Sequence, residues 1–178
     1  METFEIDIKG LKRVLPIVTI AEDLKIASFD ILGDTELVTY LAPLLAEKLP
    51  KVDYIVTAEA KGIPLIHEIS KVLKMDKYIV ARKSIKPYMQ NPLVKKVTSI
   101  TTQKEQILCL DGKDAHLLNG KKVAIIDDVI STGESIYALE KILVEGAGAN
   151  VIAKAALLAE GSAAERTDII FLEKLPIF

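Results

Sequence analysis

The run VAIIDDVISTGES, from Val123 to Ser135, decides the fold because it reads as a buried strand, a polar turn and the start of a helix. Its apolar part, residues 123–126, predicts the strand. Asp127 and Asp128 follow directly, where we expect the strand to end. Successive side chains on a strand point to opposite faces, so one carboxylate can face a ligand while the other braces it.

A small, hydroxyl-rich turn follows these acids and leads into a helix predicted from Glu134. Backbone N–H groups and hydroxyls at a helix N-terminus suit a phosphate monoester, because the helix dipole and the unpaired amides favour an anion there. Gly133 lets the backbone approach that anion closely. A sugar diol on the acids and a phosphate in the turn together describe a ribose 5-phosphate. The candidate phosphate-binding residues are Ser131, Thr132, Gly133, Glu134 and Ser135. A parallel strand ending in an ordinary polar loop is the competing interpretation, but it requires neither the second Asp nor the Ser-Thr-Gly turn.

The run resembles the phosphoribosyl-pyrophosphate (PRPP) motif of type I phosphoribosyltransferases: four apolar residues, Asp-Asp, two apolar residues, then a small residue and Thr-Gly. The likeness is greatest for the purine enzymes that act on adenine and xanthine, and it extends from about Leu24 to the C-terminus. It implies a glycosyltransferase, specifically a pentosyltransferase, that moves ribose 5-phosphate from PRPP to a purine in nucleotide salvage. The products would be a nucleoside monophosphate and pyrophosphate, with Asp127 and Asp128 as the catalytic residues.

Length and composition narrow the class of protein. The 178 residues suffice for one sizeable core, and half of them are apolar but only 5% are aromatic. We therefore expect an aliphatic core of the kind that buried parallel sheets have. A net charge of −2 gives no support for a nucleic-acid partner. The single Cys109 excludes an internal disulfide and favours a reducing cytoplasm. No apolar run reaches the ~18 residues that span a bilayer, so we expect no membrane partner.

Strands and helices alternate along the chain, which predicts an α/β fold with a doubly wound, mainly parallel central sheet. We expect one domain, 1–178, in which residues 1–34 form a small antiparallel hood and residues 50–178 the PRPP-binding core. Asp34 is a predicted N-cap, and Pro43 predicts a kink or a late start in the helix that follows. Further strands are predicted at 54–57, 78–81, 103–110, 151–159 and 168–172, a helix at 63–73, and a loop at 160–166.

Two segments on the ligand side of this sheet suit a pyrophosphate. In AEAKG, residues 58–62, small residues flank an acid and a lysine, so the backbone can wrap closely around an oxyanion. Three cations follow the strand at 78–81, where they would neutralise a leaving group, although a solvated strand end would look the same. TAEAKGIPL and IVARKSIK resemble the corresponding segments of the purine enzymes. The resemblance implies pyrophosphate binding by Glu59, Ala60, Lys61, Gly62, Arg82, Lys83 and Lys86.

The resemblance also implies a base pocket. The segments LKIASFDILGDTELV and AEGSAAER resemble those that cover the base, which implies base binding by Phe29, Glu160 and Gly161. Ile31 and Gly161 depart from the Asn and Lys of xanthine enzymes, and adenine enzymes carry a bulky apolar residue at the Gly161 position. Lys61 replaces an Arg of adenine enzymes, which keeps the charge but loses the bidentate fork. The choice of base, adenine or xanthine-like, therefore stays open.

The stretch 87–102 has two prolines and no helical period, so it predicts an irregular loop that could close as a lid. The likeness to a loop acid of adenine enzymes makes Glu105 a further candidate acid near the base, although an exposed Glu at the start of a strand explains it equally well. The family implies Mg²⁺, held through PRPP and water rather than by direct protein ligands. It also implies a homodimer, because its basic segment often reaches the neighbouring site. A non-catalytic regulator that senses PRPP or a nucleotide with the same fold is the alternative.

Overall fold

The structure, a computed structural model, describes residues 2–98 and 105–178. Its strands are β1 (Thr3–Ile8), β2 (Leu11–Ala21), β3 (Leu24–Ala27), β4 (Tyr54–Ala58), β5 (Ile79–Ala81), β6 (Leu93–Thr98), β7 (Glu105–Leu110), β8 (Lys122–Ile130), β9 (Asn150–Glu160) and β10 (Ile170–Leu175). Its α-helices are α1 (Thr35–Ala46), α2 (Gly62–Val72), α3 (Gly112–Leu118) and α4 (Glu134–Lys141). A π-helical turn, Ile142–Gly146, continues α4, and a 3₁₀ helix, Gly161–Glu165, follows β9.

Five parallel strands form the central sheet in the order β10-β9-β8-β4-β5. Helices α1 and α2 cover one face, and α3 and α4 cover the other. Side chains of β8 alternate between the two cores: Ala124 and Ile126 lie on the α1 side, and Val123 and Ile125 on the α4 side. Both faces of β8 are buried, which explains its continuous apolar run and confirms the predicted fold class.

Strand β8 is longer than predicted and contains both acids. It continues to Ile130 because β9, on its flank, is also long and pairs with it as far as Ile130 and Ala159. The prediction that the strand ends before Asp127 is therefore wrong. The acids stand inside the sheet, near its carboxyl edge, where backbone hydrogen bonds fix their positions more firmly than a loop would.

The N-terminal hood is a three-stranded antiparallel sheet in the order β1-β2-β3. Residues close to the C-terminus attach it to the core: Lys25 N–H donates to Phe178 O, and Phe178 N–H donates to Lys25 O, both at 2.8 Å. The rings of Phe4 and Phe178 meet edge to face with centroids 5.4 Å apart. This arrangement holds β3 above the carboxyl edge of the central sheet.

Helix α1 begins at Thr35, eight residues before Pro43, so the late start is excluded. Asp34 caps the helix as predicted, since its side chain accepts a hydrogen bond from Leu37 N–H at 3.1 Å. The helix ends at Ala46, soon after the proline. A proline near the end of a helix removes one hydrogen bond without interrupting the preceding turns.

The segment after β5 differs most from its prediction. Residues 93–98 form β6, which pairs antiparallel with β7, so the irregular loop predicted for 87–102 is wrong there; residues 99–102 lie outside the described residues. Helix α3, which the sequence does not predict, has Asp111 as its N-cap, with the Asp111 side chain accepting from Lys113 N–H at 3.2 Å. The loop predicted at 160–166 contains the 3₁₀ helix.

Candidate functional site

Asp127 and Asp128 line two neighbouring cavities, because alternate residues of β8 point to opposite faces. Asp127 is partly buried, and its Oδ1 accepts a hydrogen bond from Asp128 N–H at 2.9 Å. Asp128 is only 7% exposed. Burial, and then the adjacent Asp128 carboxylate, raise the pKa of Asp127. These acids therefore occupy the site at an energetic cost that a hydrogen-bond donor or a cation would relieve.

One oxygen of this pair is unsatisfied. Asp128 Oδ2 is buried and has no hydrogen-bond partner within residues 2–98 and 105–178. Its closest cation is the Lys61 ammonium, at 3.7 Å. Buried polar atoms in folded proteins are nearly always paired. An exception facing a cavity therefore indicates a place where a ligand donates a hydrogen bond.

The turn after β8 forms a small cradle of about 100 Å³. Its lining brings Asp127 together with all five predicted phosphate-binding residues, 131–135. Gly133 is the N-cap of α4 and has a left-handed φ of +83°, which disfavours a side chain. The cradle combines the orphan amides of a helix N-terminus with hydroxyl groups, which is the arrangement that binds phosphate.

The loop between β4 and α2 passes close to the acids. Gly62 packs against β4 so tightly that a methyl group there would clash with Thr57 Oγ1, and it would lie 3.4 Å from Ile126 O. The Lys61 ammonium points towards the hood and donates to Phe29 O at 2.9 Å. Of the predicted pyrophosphate-binding residues, Lys61 therefore lies at the edge of the cavity between the hood and β8.

The predicted basic cluster is oriented by Glu59. The Glu59 carboxylate accepts hydrogen bonds from Arg82 Nε at 2.5 Å and from Lys83 N–H at 2.6 Å. Although burial opposes it, these bonds lower the pKa of Glu59. Tyr88 also contacts the cluster, since Arg82 Nη1 donates to its hydroxyl at 3.1 Å. Glu59 thus orients the Arg82 guanidinium and fixes the Lys83 backbone, and the remaining predicted member, Lys86, donates from Nζ to Ser84 Oγ at 2.6 Å.

The second cavity, of about 250 Å³, lies between the hood and β8. It is lined by Ile26, Ala27, Ser28, Phe29, Lys61, Asp128, Val129, Ser131, Glu160 and Leu175. Burial raises the pKa of Glu160, although a hydrogen bond with Ser131 and the charge of Lys61 act to lower it. Gly161 is not part of this lining; a side chain there would instead contact Ile177. Two of the three predicted base-binding residues are therefore brought together.

Several residues of the site have no counterpart in the predicted set. Ser28 and Val129 line the second cavity, and Tyr88 contacts Arg82. The hydrophobic periodicity of the sequence does not mark these residues, because the segments that meet at the site are far apart in sequence. Glu105 begins β7, and its side chain lies outside the described residues. Within the described chain, no three metal-ligating side chains cluster, and no helix is long and apolar enough to cross a bilayer.

The parallel sheet, the acids on its central strand and the cradle at its edge together define an α/β protein whose site suits a sugar phosphate. The family model of the phosphoribosyl transferase domain matches residues 40–175. The chain belongs to the phosphoribosyl transferase domain family.

Named relatives lie among the purine enzymes. The chain is 36% identical over 131 residues to the adenine phosphoribosyltransferase of Thermosipho africanus, covering 72% of each protein. It is 33% identical over 115 residues to the hypoxanthine/guanine phosphoribosyltransferase of Methanothrix thermoacetophila, covering 65% of this chain and 56% of that protein. The match thus spans little more than half the length of that curated relative.

The fold has solved counterparts. The crystal structure of adenine phosphoribosyltransferase from Thermoanaerobacter pseudethanolicus superposes with a TM-score of 0.72 at 25% identity, over 90% of this chain and 95% of that one. The predicted resemblance to purine phosphoribosyltransferases is confirmed.

Proposed function

We propose that this protein transfers ribose 5-phosphate from PRPP to a purine, releasing pyrophosphate and a nucleoside monophosphate, as a pentosyltransferase of nucleotide salvage. The observation that carries the proposal is the junction of two cavities at β8, where Asp127 faces the phosphate cradle and Asp128 faces the pocket under the hood. Only a ligand with a phosphate at one end and hydroxyl groups near its middle matches both.

The acids account for the chemical step. With the 5′-phosphate in the cradle, the ribose hydroxyls reach Asp127 and Asp128, and Asp128 Oδ2 gains the donor it lacks. When the bond from the anomeric carbon to pyrophosphate breaks, positive charge develops on that carbon. Two fixed carboxylates stabilise this charge without reorganising. A purine nitrogen then attacks the opposite face of the sugar, with inversion.

The cations serve the leaving group. Glu59 orients the Arg82 guanidinium and the Lys83 backbone, and the Lys61 side chain is 46% exposed although it bonds Phe29 O. Rotation of Lys61 towards the pyrophosphate would release Phe29 O and uncover Asp128. A purine could then enter beside Phe29 and Glu160. The names of the relatives make adenine and the 6-oxopurines the bases to test.

We infer that Mg²⁺ would be bound through PRPP oxygens and water, which is the coordination that this ion prefers beside substrate phosphates. Such an ion would neutralise charge on the leaving pyrophosphate. The protein contributes the negative charge of Asp127 and Asp128 close to that ion. The unsatisfied Asp128 oxygen and the raised pKa of Asp127 both favour a nearby cation.

Three further features belong to this proposal. Closure of the 87–102 segment would keep water from the sugar; its described strand β6 is tied to the π-helical turn after α4 by the Lys95–Glu145 ion pair. A homodimer places the exposed Ile85 and Tyr88, beside the basic cluster, against a second copy. The buried thiol of Cys109 suits a reducing cytoplasm.

The test is pyrophosphate release from PRPP and Mg²⁺ with adenine, hypoxanthine, guanine, xanthine, uracil and orotate in parallel. We expect release with one or more purines. Asp127→Asn and Asp128→Asn should each lower kcat about tenfold or more with an unchanged fold. Asp53→Asn is the matched control: Asp53 bonds Lys122 N–H at the opposite end of β8, at 2.8 Å, and an amide oxygen preserves that bond.

Unchanged kinetics in both acid variants would contradict the proposed roles of Asp127 and Asp128. PRPP binding without pyrophosphate release for any base would contradict the transferase and point to a sensor of PRPP.

A further inference from the structure

Arg166 lies behind the turn that follows β8, residues 131–133, which we call the phosphate loop, and it has no role in the chemistry described above. It follows the 3₁₀ helix, and its backbone N–H donates to Ala163 O at 3.1 Å. Its Nε and Nη2 donate to the two oxygens of Asp168, at 2.9 and 2.7 Å. Neither bond uses Nη1. The bidentate pair fixes the plane of the guanidinium, which a lysine could not reproduce.

This guanidinium rests against the phosphate loop. A methyl group built on Gly133 would clash with Arg166 Nη1 and would lie 3.7 Å from Arg166 Cζ. Arg166 does not line the cradle, but it lines a separate cavity with Thr132 and Gly133 on the other side of the loop. Only the loop backbone therefore separates the charge of Arg166 from the place where a phosphate binds.

A network of ion pairs holds Arg166 in place. Lys154 of β9 lies 3.5 Å from Asp168 and 3.0 Å from Glu140 of α4. The Arg166 guanidinium holds the pKa of Asp168 well below its usual range. The network ties α4, which the loop begins, to the segment that carries Glu160.

We propose that Arg166 is a positioning residue for the sugar phosphate: fixed by Asp168, it holds the Gly133 end of the loop and adds positive charge behind the N-terminus of α4. The inference rests on the proposed function. Arg166 does not touch the substrate, so it acts through the loop and through its field. Loss of Arg166 should weaken the binding of every ligand that carries the 5′-phosphate and leave the binding of the purine unchanged.

The test compares Arg166→Gln, Arg166→Lys and Asp168→Asn with the wild type. Calorimetry gives the Kd of ribose 5-phosphate, and kinetics give kcat and the KM values of PRPP and the purine. We expect Arg166→Gln to raise the Kd of ribose 5-phosphate and the KM of PRPP about fivefold or more. The kcat and the purine KM should stay within about twofold. Arg166→Lys, which keeps the charge, should recover part of the loss, and Asp168→Asn should show a smaller one.

Arg13→Gln is the matched control. Arg13 forms the same kind of fork on Asp34, at 2.7 and 3.0 Å, but in the hood. Its loss should leave the Kd of ribose 5-phosphate unchanged. An Arg166→Gln variant with unchanged Kd overturns the proposal, and lower thermal stability beside that Kd would assign Arg166 a structural role only. Because this titration needs no purine, a wild type that binds ribose 5-phosphate but releases no pyrophosphate contradicts the transferase alone.

Discussion

Asp127 and Asp128 occupy positions that cost the folded protein free energy. Two adjacent carboxylates lie on the central strand, and Asp128 Oδ2 is buried without a hydrogen bond from any described residue. An unsatisfied buried polar atom costs about 1–3 kcal/mol. Such a cost persists when the residue serves binding or catalysis rather than stability. The same two residues were the strongest functional signal in the sequence.

The raised pKa of Asp127 predicts a pH dependence of stability. Between the pKa of the unfolded chain and the higher pKa of the folded one, the folded protein binds more protons. The free energy of unfolding should therefore fall as pH rises from about 4 towards neutrality, by at most about 1.4 kcal/mol per pH unit. Asp127→Asn removes this slope. Urea unfolding without Mg²⁺ at several pH values measures it.

Asp23→Asn, in the exposed turn between β2 and β3, is the control for the loss of a carboxylate. It should follow the wild-type curve. If the free energy of unfolding depends on pH in the same way in the wild type and in Asp127→Asn, the site does not disfavour the charged form of Asp127.

The element that organises the molecule is β8 with its turn and α4. A strand buried on both faces fixes the acids, and the helix that starts immediately after the turn orients the amides of the cradle. Gly133 is the residue on which this element depends, because its φ is +83° and the Arg166 guanidinium fills the space of a side chain.

Gly133→Ala should therefore weaken PRPP binding, with a KM raised about fivefold or more, and cost about 1–2 kcal/mol of stability. Gly120→Ala is the matched control, since Gly120 has φ +69° but nothing lies within 4 Å of the added methyl. It should show similar backbone strain and an unchanged KM for PRPP. Equal KM values in both variants would contradict the assignment of the cradle.

At this scale the sequence predicted elements whose pattern is local and strong. The apolar run of β8 and the Asp-Asp-turn-helix order gave the sheet and the cradle. Helix α3 was missed because its seven residues are too few for periodicity, and Asp-Gly at its start is also a turn signal. Strand β6 was missed because it pairs only with β7, so little burial shapes its sequence. The position of Arg166 behind the turn gave no local signal, since Gly133, against which it packs, lies over thirty residues earlier.

On the scale of the whole molecule, the site exists only because hood and core are joined. The segment that follows β3 supplies Phe29 to the cavity, and β8 and β9 supply Asp128 and Glu160. In addition to packing contacts, Phe178 links the hood to the core. Its backbone bonds that of Lys25, and its ring contacts the ring of Phe4.

A double-mutant cycle measures this link. Phe4→Ala and Phe178→Ala should couple by about 1 kcal/mol in the free energy of unfolding, as an edge-to-face pair does. Each should also raise the KM of the purine more than that of PRPP, because the hood contacts the base side of the site. Additive effects, or a selective loss of PRPP binding, would contradict the predicted division between hood and cradle.

The most direct test is calorimetric titration of PRPP with Mg²⁺ into the wild type and into the Asp127→Asn/Asp128→Asn double variant, with inorganic phosphate titrated in parallel. We predict that the wild type binds PRPP. The double variant should bind it about tenfold or more weakly, because the ribose hydroxyls lose their charged acceptors. Phosphate should still bind the double variant, at least as tightly as the wild type, because the cradle remains and two negative charges beside it are removed. A wild type that does not bind PRPP, or a double variant that binds it equally well, would contradict the site.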